Sequence, residues 1–161
     1  MIFKQIFKFL LAITVLSCCL FSCTKIEVYE KNTPIPNYKW NANFTATGSL
    51  QISDTSSYYT IFIVLRHTDA YKYNNIWLNT QLYISGDTIL NKKIDMPLGT
   101  DATGWDGIGM TDIWEVRKPI SSIPFKFKKL GLYQFNINQI MRDNPLPNVM
   151  SAGLRIEKIK F

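Results

Sequence analysis

The chain holds 161 residues, 47% hydrophobic and 14% aromatic, with 18 Lys and Arg against 12 Asp and Glu for a formal charge of +6. A single histidine excludes a His-rich metal site and leaves most base-assisted nucleophile schemes without their central group. The basic excess is mild for a nucleic-acid binder, which usually concentrates arginines on one face.

Lys4 and Lys8 lead into an apolar run from Phe9 to Leu20, which closes on Leu20-Phe21-Ser22-Cys23. A charged n-region, an h-region too short to span comfortably and a small residue before a cysteine make the layout of a bacterial lipoprotein signal. Cleavage before Cys23 would leave its thiol to carry a diacylglycerol and its amine a third acyl chain, of the palmitate class. Val15-Leu16-Ser17-Cys18 forms a rival box, but a cut there shortens the h-region towards the low end of about 7 to 15 residues. The stretch from Phe9 to Cys23 falls short of the roughly 20 residues of a spanning helix. Residues 1–22 are therefore read as signal peptide, 23–39 as lipidated N-terminus and tether, and 40–161 as the folded domain.

Cys18 and Cys19 leave with the signal, so Cys23 is the sole cysteine of the mature chain and its acylated sulfur joins no disulfide. Order must come from an apolar core, and about 140 residues suffice for one domain. Loss of Lys4 and Lys8 lowers the formal charge from +6 to +4.

Thr24 to Lys39, with its charges, Pro34 and Pro36, reads as a tether. An early strand is expected around Asn43 to Ile52. Ser57 to Arg66 alternates with apolar residues on both faces, the pattern of a central strand. Ile76 to Ile84 and Thr88 to Ile94 flank Ser85-Gly86-Asp87 and predict a hairpin. Ile113 to Val116 predicts a short strand. Ile123, Phe125 and Phe127 alternate against Lys126 and Lys128. Gly131 turns the chain into Tyr133, Phe135 and Ile137, and Leu154 and Ile156 mark the last strand. Asn138 to Asp143 is the one plausible helical turn, stopped by Asn144-Pro145. About eight strands without alternating helices predict an all-β, antiparallel β-sandwich of jelly-roll type. The lysines at 126, 128, 129, 158 and 160 read as a solvated strand face.

His67, beside Arg66 at a strand end, suits a hydrogen-bonded structural role. The loop from Gly99 to Asp112 carries three carboxylates, but their spacing does not fit an EF-hand, and no metal is expected. Trp105, between Gly104 and Gly107, would either offer an aromatic face to a sugar or a partner or anchor the loop on the sandwich end. Asp106 and Glu115 would make a glycosidase pair only at a distance the spacing does not set. Arg66 and Arg142 would each bind a partner's carboxylate or pair internally with an acid such as Asp69 or Asp143.

Trp40, Tyr59-x-Ile61-x-Ile63-x-Leu65-Arg66-His67 leading to Tyr71 and Asn75-Ile76-Trp77-Leu78, Gly104-Trp105-Asp106-Gly107-Ile108-Gly109, Gly131-x-Tyr133-x-Phe135, Gln139-x-Met141-Arg142 and Gly153-Leu154-Arg155-Ile156-Glu157 together resemble the gliding-motility lipoprotein H family, GldH. The resemblance covers nearly the whole mature domain. It implies a lipoprotein needed for surface gliding and the linked protein-secretion system, without catalytic residues to carry over. The expectation is a non-enzymatic interaction component of that machinery in the cell envelope, at the outer membrane. It would be held by lipid on Cys23, with no other cofactor, no nucleic-acid partner and no small-molecule ligand. Trp105, Asp106 and Arg142 are its candidate interaction surface. A carbohydrate-binding surface lipoprotein is the alternative.

Overall fold

The structure, a computed structural model, describes residues 28–159; the expected signal peptide over 1–22, Cys23 and Lys160 lie outside the described residues. It contains β1 (Val28–Pro34), β2 (Lys39–Trp40), β3 (Ala46–Ile52), β4 (Tyr59–Thr68), β5 (Asn75–Ile84), β6 (Asp87–Pro97) and β7 (Gly99–Thr100). There follow β8 (Gly104–Trp105), β9 (Ile108–Met110), β10 (Ile113–Pro119), β11 (Gly131–Gln139), β12 (Leu146–Pro147) and β13 (Val149–Lys158). A five-stranded sheet runs β1-β13-β4-β10-β9 and a four-stranded sheet runs β3-β11-β5-β6. Every pairing is antiparallel, so the expected all-β sandwich is present, with more strands than the eight expected because β2, β7, β8, β9 and β12 are too short to show a period. Among the described residues no helix is long and apolar enough to cross a membrane.

Alternation builds the core. Ile61, Ile63, Leu65 and His67 of β4 turn inward, as do Tyr133, Phe135 and Ile137 of β11 and Ile76, Leu78 and Leu82 of β5. Each aliphatic or Phe side chain among them adds about 1.5 to 3 kcal/mol when fully buried. β4 is central, as its pattern predicts: Val64 on its other face is also fully buried, between register partners Arg117 and Gly153.

Two ends follow from the connections. The Val28 end gathers the start of β1, the end of β13, the 53–58 loop, the Ile84–Asp87 hairpin turn and the segment from Ile120 to Leu130. An aromatic cluster seals it, with Phe127 edge-on to Tyr59 at 5.2 Å, Phe125 at 4.9 Å and Tyr133 at 4.8 Å. The opposite end carries the loops at 69–74, 98–112 and 140–148. Fully buried Trp40 closes it, donating from Nε1 to the Phe44 carbonyl at 2.9 Å.

Three expectations are corrected. Residues 28–34, assigned to the tether, form an edge strand paired from Val28–Glu157 to Pro34–Ser151. Polar groups stand on both of its faces, which hides the period: Glu30 pairs with Arg155 at 3.0 Å on one, and on the other Tyr29 donates its hydroxyl to the Ser49 carbonyl. Pro34 is tolerated because it ends an edge strand. The folded domain therefore includes Val28 and does not begin at residue 40. The alternation at Ile123, Phe125 and Phe127 makes no strand: only Phe125 pairs, in an isolated bridge with Tyr59, and Pro124 beside it has no N–H to extend a ladder. No helical turn forms over Asn138 to Asp143. There Gln139, buried at the end of β11, accepts from the Met141 N–H at 2.7 Å and donates to the Trp40 and Asp143 carbonyls at 3.3 and 3.2 Å. These bonds hold the backbone in an irregular turn.

The β1 pairing rests on a close approach at Gly153, where an added Cβ would sit 2.0 Å from the Lys31 carbonyl oxygen. Gly153→Ala is expected to cost about 1 to 3 kcal/mol, the usual range for overpacking, measured by urea unfolding. Hydrogen exchange should show the β1 amides losing protection while those of β4 keep theirs; uniform protection in the variant would contradict this account of the edge strand.

Candidate functional site

The loop from Leu98 to Asp112 is a folded strap. β7 and β8 pair Gly99 with Trp105, the Asp106 N–H donates to the Leu98 carbonyl at 2.7 Å, and β9 returns along β10. Gly107 permits the return. Its φ is +92°, and an added Cβ would meet the Glu115 carbonyl oxygen at 2.1 Å, so only glycine fits against β10.

Trp105 is half-buried and packs against the core. Its ring meets His67 edge-on at 4.6 Å and Tyr71 at 6.3 Å. His67 is fully buried, its Nδ1 bonded to the Thr68 carbonyl at 2.9 Å while Nε2 has no partner among the described residues. The carbonyl can only accept, which places the proton on Nδ1. Burial holds the imidazole below its ordinary pKa, outweighing the raising effects of the Thr68 carbonyl and Asp69. Asp106 lies apart, bound to Lys118 at 2.7 Å. A 310 Å³ cleft beside Trp105 is lined by Tyr71, Lys72, Tyr73, Asn74 and the β7–β8 turn.

Arg142 belongs to a second cleft, of 490 Å³, lined by Tyr73, Trp77, Ile140, Met141 and Arg142. Tyr73 lines both clefts. The Trp77 amide donates to the Met141 sulfur at 3.2 Å, and the Ile140 amide to the Trp77 carbonyl at 2.9 Å, so β11 leaves the β5 ladder here and opens the groove. Arg142 is exposed and meets no carboxylate among the described residues; Asp143 instead takes the Tyr73 hydroxyl at 2.9 Å and Lys72 at 3.5 Å. Sequence reasoning passed over Trp77 because it sits in a regular strand; it is 43% exposed, the outward member of an alternating run.

Arg66 pairs internally, though with neither neighbouring acid: Glu115, its register partner on β10, lies at 2.6 Å. Arg117 binds Glu115 at 2.5 Å and reaches Glu30 at 3.7 Å, which also holds Arg155. Burial works against ionisation of Glu30, but Arg155, Asn32 and Arg117 hold its carboxyl below the usual range. The sequence-predicted site residues thus occupy three separate places. Among the described residues no group of three or more His, Cys, Asp or Glu could hold a metal.

Two outcomes follow from this packing. Trp105→Ala removes the ring that covers His67 and is expected to cost stability towards the low end of about 3 to 5 kcal/mol, read from urea midpoints; a change within about 0.5 kcal/mol would mean an indole that carries no packing. His67 has a folded pKa below its unfolded value near 6.5, so the unfolded chain takes up the proton first and stability falls as pH drops below about 6.5. The carboxyls lowered by pairing, Glu30, Asp54 and Asp87, weaken the fold only at more acid pH. Unfolding at pH 7.5 and 5.5 should show this loss in the native chain and not in His67→Phe.

Comparison with known proteins places the chain. The family model described as GldH lipoprotein matches residues 27–156. A gliding motility lipoprotein GldH homolog from Christiangramia forsetii is 27% identical, covering 96% of this chain and 95% of that protein. The gliding motility lipoprotein GldH of Flavobacterium johnsoniae is 29% identical, covering 86% and 89%. Among solved structures, the insecticidal delta-endotoxin Cry8Ea1 of Bacillus thuringiensis aligns with a TM-score of 0.43 and 14% identity over 79% of this chain and 20% of that one. The VP2 subviral particle of infectious bursal disease virus gives 0.37 and 13% over 83% and 33%. With the match spanning both sheets, the chain belongs to the GldH lipoprotein family.

Proposed function

We propose that this chain is a non-enzymatic lipoprotein of the cell envelope, held at the outer membrane by acyl chains on Cys23, that acts as an interaction component of the gliding-motility and linked protein-secretion machinery. The observation that carries the reading is the family match over residues 27–156 together with near full-length alignment to relatives named for gliding motility. The geometry is consistent with binding rather than catalysis. The one histidine is packed under Trp105, and Asp106 and Glu115 are tied to Lys118 and to Arg66 and Arg117. The groove at Trp77 and Arg142 combines an exposed indole, a methionine and a guanidinium unpaired among the described residues, the residue types that anchor protein interfaces. Partner proteins would lay an apolar side chain on Trp77 and a carboxylate on the fork of Arg142.

Deletion of the chain should abolish spreading on agar and lower secretion, and Cys23→Ala should move the protein from the membrane to the soluble fraction. Mass spectrometry of the N-terminal peptide should find acyl chains on Cys23; acylation at Cys18 would refute the assigned cleavage site. Trp77→Ala with Arg142→Ala should impair gliding at unchanged abundance and melting temperature. Glycan binding by the domain combined with normal gliding after deletion would favour the carbohydrate reading instead.

A further inference from the structure

The sandwich is electrically and chemically polarised along its length. At the Val28 end stand Lys126, Lys128, Lys129 and Lys158, with Asp54 and Asp87 already bound to Lys158 and Lys129 at 2.7 Å. Lys126 lies 5.2 Å over the Tyr58 ring, and neither Lys126 nor Lys128 meets a carboxylate among the described residues. The loops of the Trp105 end instead carry Asp69, Asp101, Asp112 and Asp143 against Lys72 and Arg142. The basic end is also apolar. Phe125 and Phe127 turn into the aromatic cluster and hold their segment to the fold, yet Ile123 is 75% exposed and Leu130 61% exposed. Between them, Ile89, Phe125, Lys126, Lys128 and Lys129 line a 370 Å³ cleft with an apolar floor and a cationic rim. Ile108 and Met110 are as exposed on β9, but Asp112 and Glu115 stand beside them.

We propose that the Val28 end rests on the surface of the membrane that holds the anchor, with Ile123 and Leu130 in the interface and Lys126 and Lys128 on anionic lipid headgroups. The reading relies on lipidation at Cys23. Four residues separate Cys23 from Val28, and even fully extended the five steps between them reach about 18 Å at most, roughly half the length of the ten-residue strand β4. The chain therefore tethers this end, and not the Trp105 end, to the bilayer. Lysines whose stems cover apolar surface while their ammonium groups meet anionic lipid suit that position. The groove of Trp77 and Arg142 then faces away from the membrane.

The test uses the full acylated lipoprotein in vesicles of phosphatidylethanolamine and phosphatidylglycerol, with one fluorophore on Ile123→Cys, Leu130→Cys or Ala102→Cys; acylated Cys23 takes no label. Lipid-borne nitroxide should quench positions 123 and 130 several-fold more than 102, and aqueous iodide should do the reverse. Lys126→Glu with Lys128→Glu should bring quenching at 123 close to that at 102, since each lysine favours the docked state by about fivefold. Equal quenching at all three sites overturns the proposal. So does a label at 123 shielded from both quenchers, which would mean that a second copy or another protein covers this end. Failure of the anchor itself gives a different signal: the chain leaves the vesicles on flotation and its N-terminal peptide shows no acyl mass, and that result overturns both readings.

Discussion

The burial of the inward face of β4 is the constraint on which the rest depends. Its inward residues meet those of β11 and β5 across the sandwich, while Val64 is enclosed between β10 and β13 on the other side. A strand so enclosed has one register, because a slip by one residue would expose Ile61, Ile63 and Leu65 and bury Arg66. Once β4 is placed, β13 and β10 are fixed beside it, and β1 and β9 can only add at the edges.

The charges on the outside of that sheet follow the same logic. Glu30, Arg155, Arg117, Glu115 and Arg66 come from four strands and meet only because the register brings them together. Individual exposed pairs contribute about 0 to 1 kcal/mol, so their role is to favour one register and to satisfy one another rather than to supply stability. An arginine in this network is not available to a partner, whereas Arg142, at the end of β11 where the ladder opens, is.

The two ends are closed by different means, with different consequences for function. Phe127 and its aromatic neighbours fill the Val28 end with rings, which leaves the intervening lysines and Ile123 to face outward. At the other end Trp40 and Gln139 close the core through hydrogen bonds to backbone, and the irregular loops they hold create two clefts meeting at Tyr73. A rigid scaffold that presents loops and grooves at one end is the common arrangement for recognition.

The sequence by itself determined the architecture class, the central position of β4 and the hairpin of β5 and β6, because period-two alternation and turn residues are local properties of the chain. The GldH family was legible too, since the runs from Tyr59 to His67 and from Gly104 to Gly109 stand whole in the sequence. What only the tertiary structure decided depends on residues distant along the chain. The strand nature of residues 28–34 comes from pairing with residues 151–157, and no alternation announces it. Glu115 rather than Asp69 is the partner of Arg66 because antiparallel register, not sequence proximity, sets which side chains face each other. Trp105, Asp106 and Arg142 are separated for the same reason: a side chain's neighbours are fixed by the packing of strands that the sequence names but does not yet place.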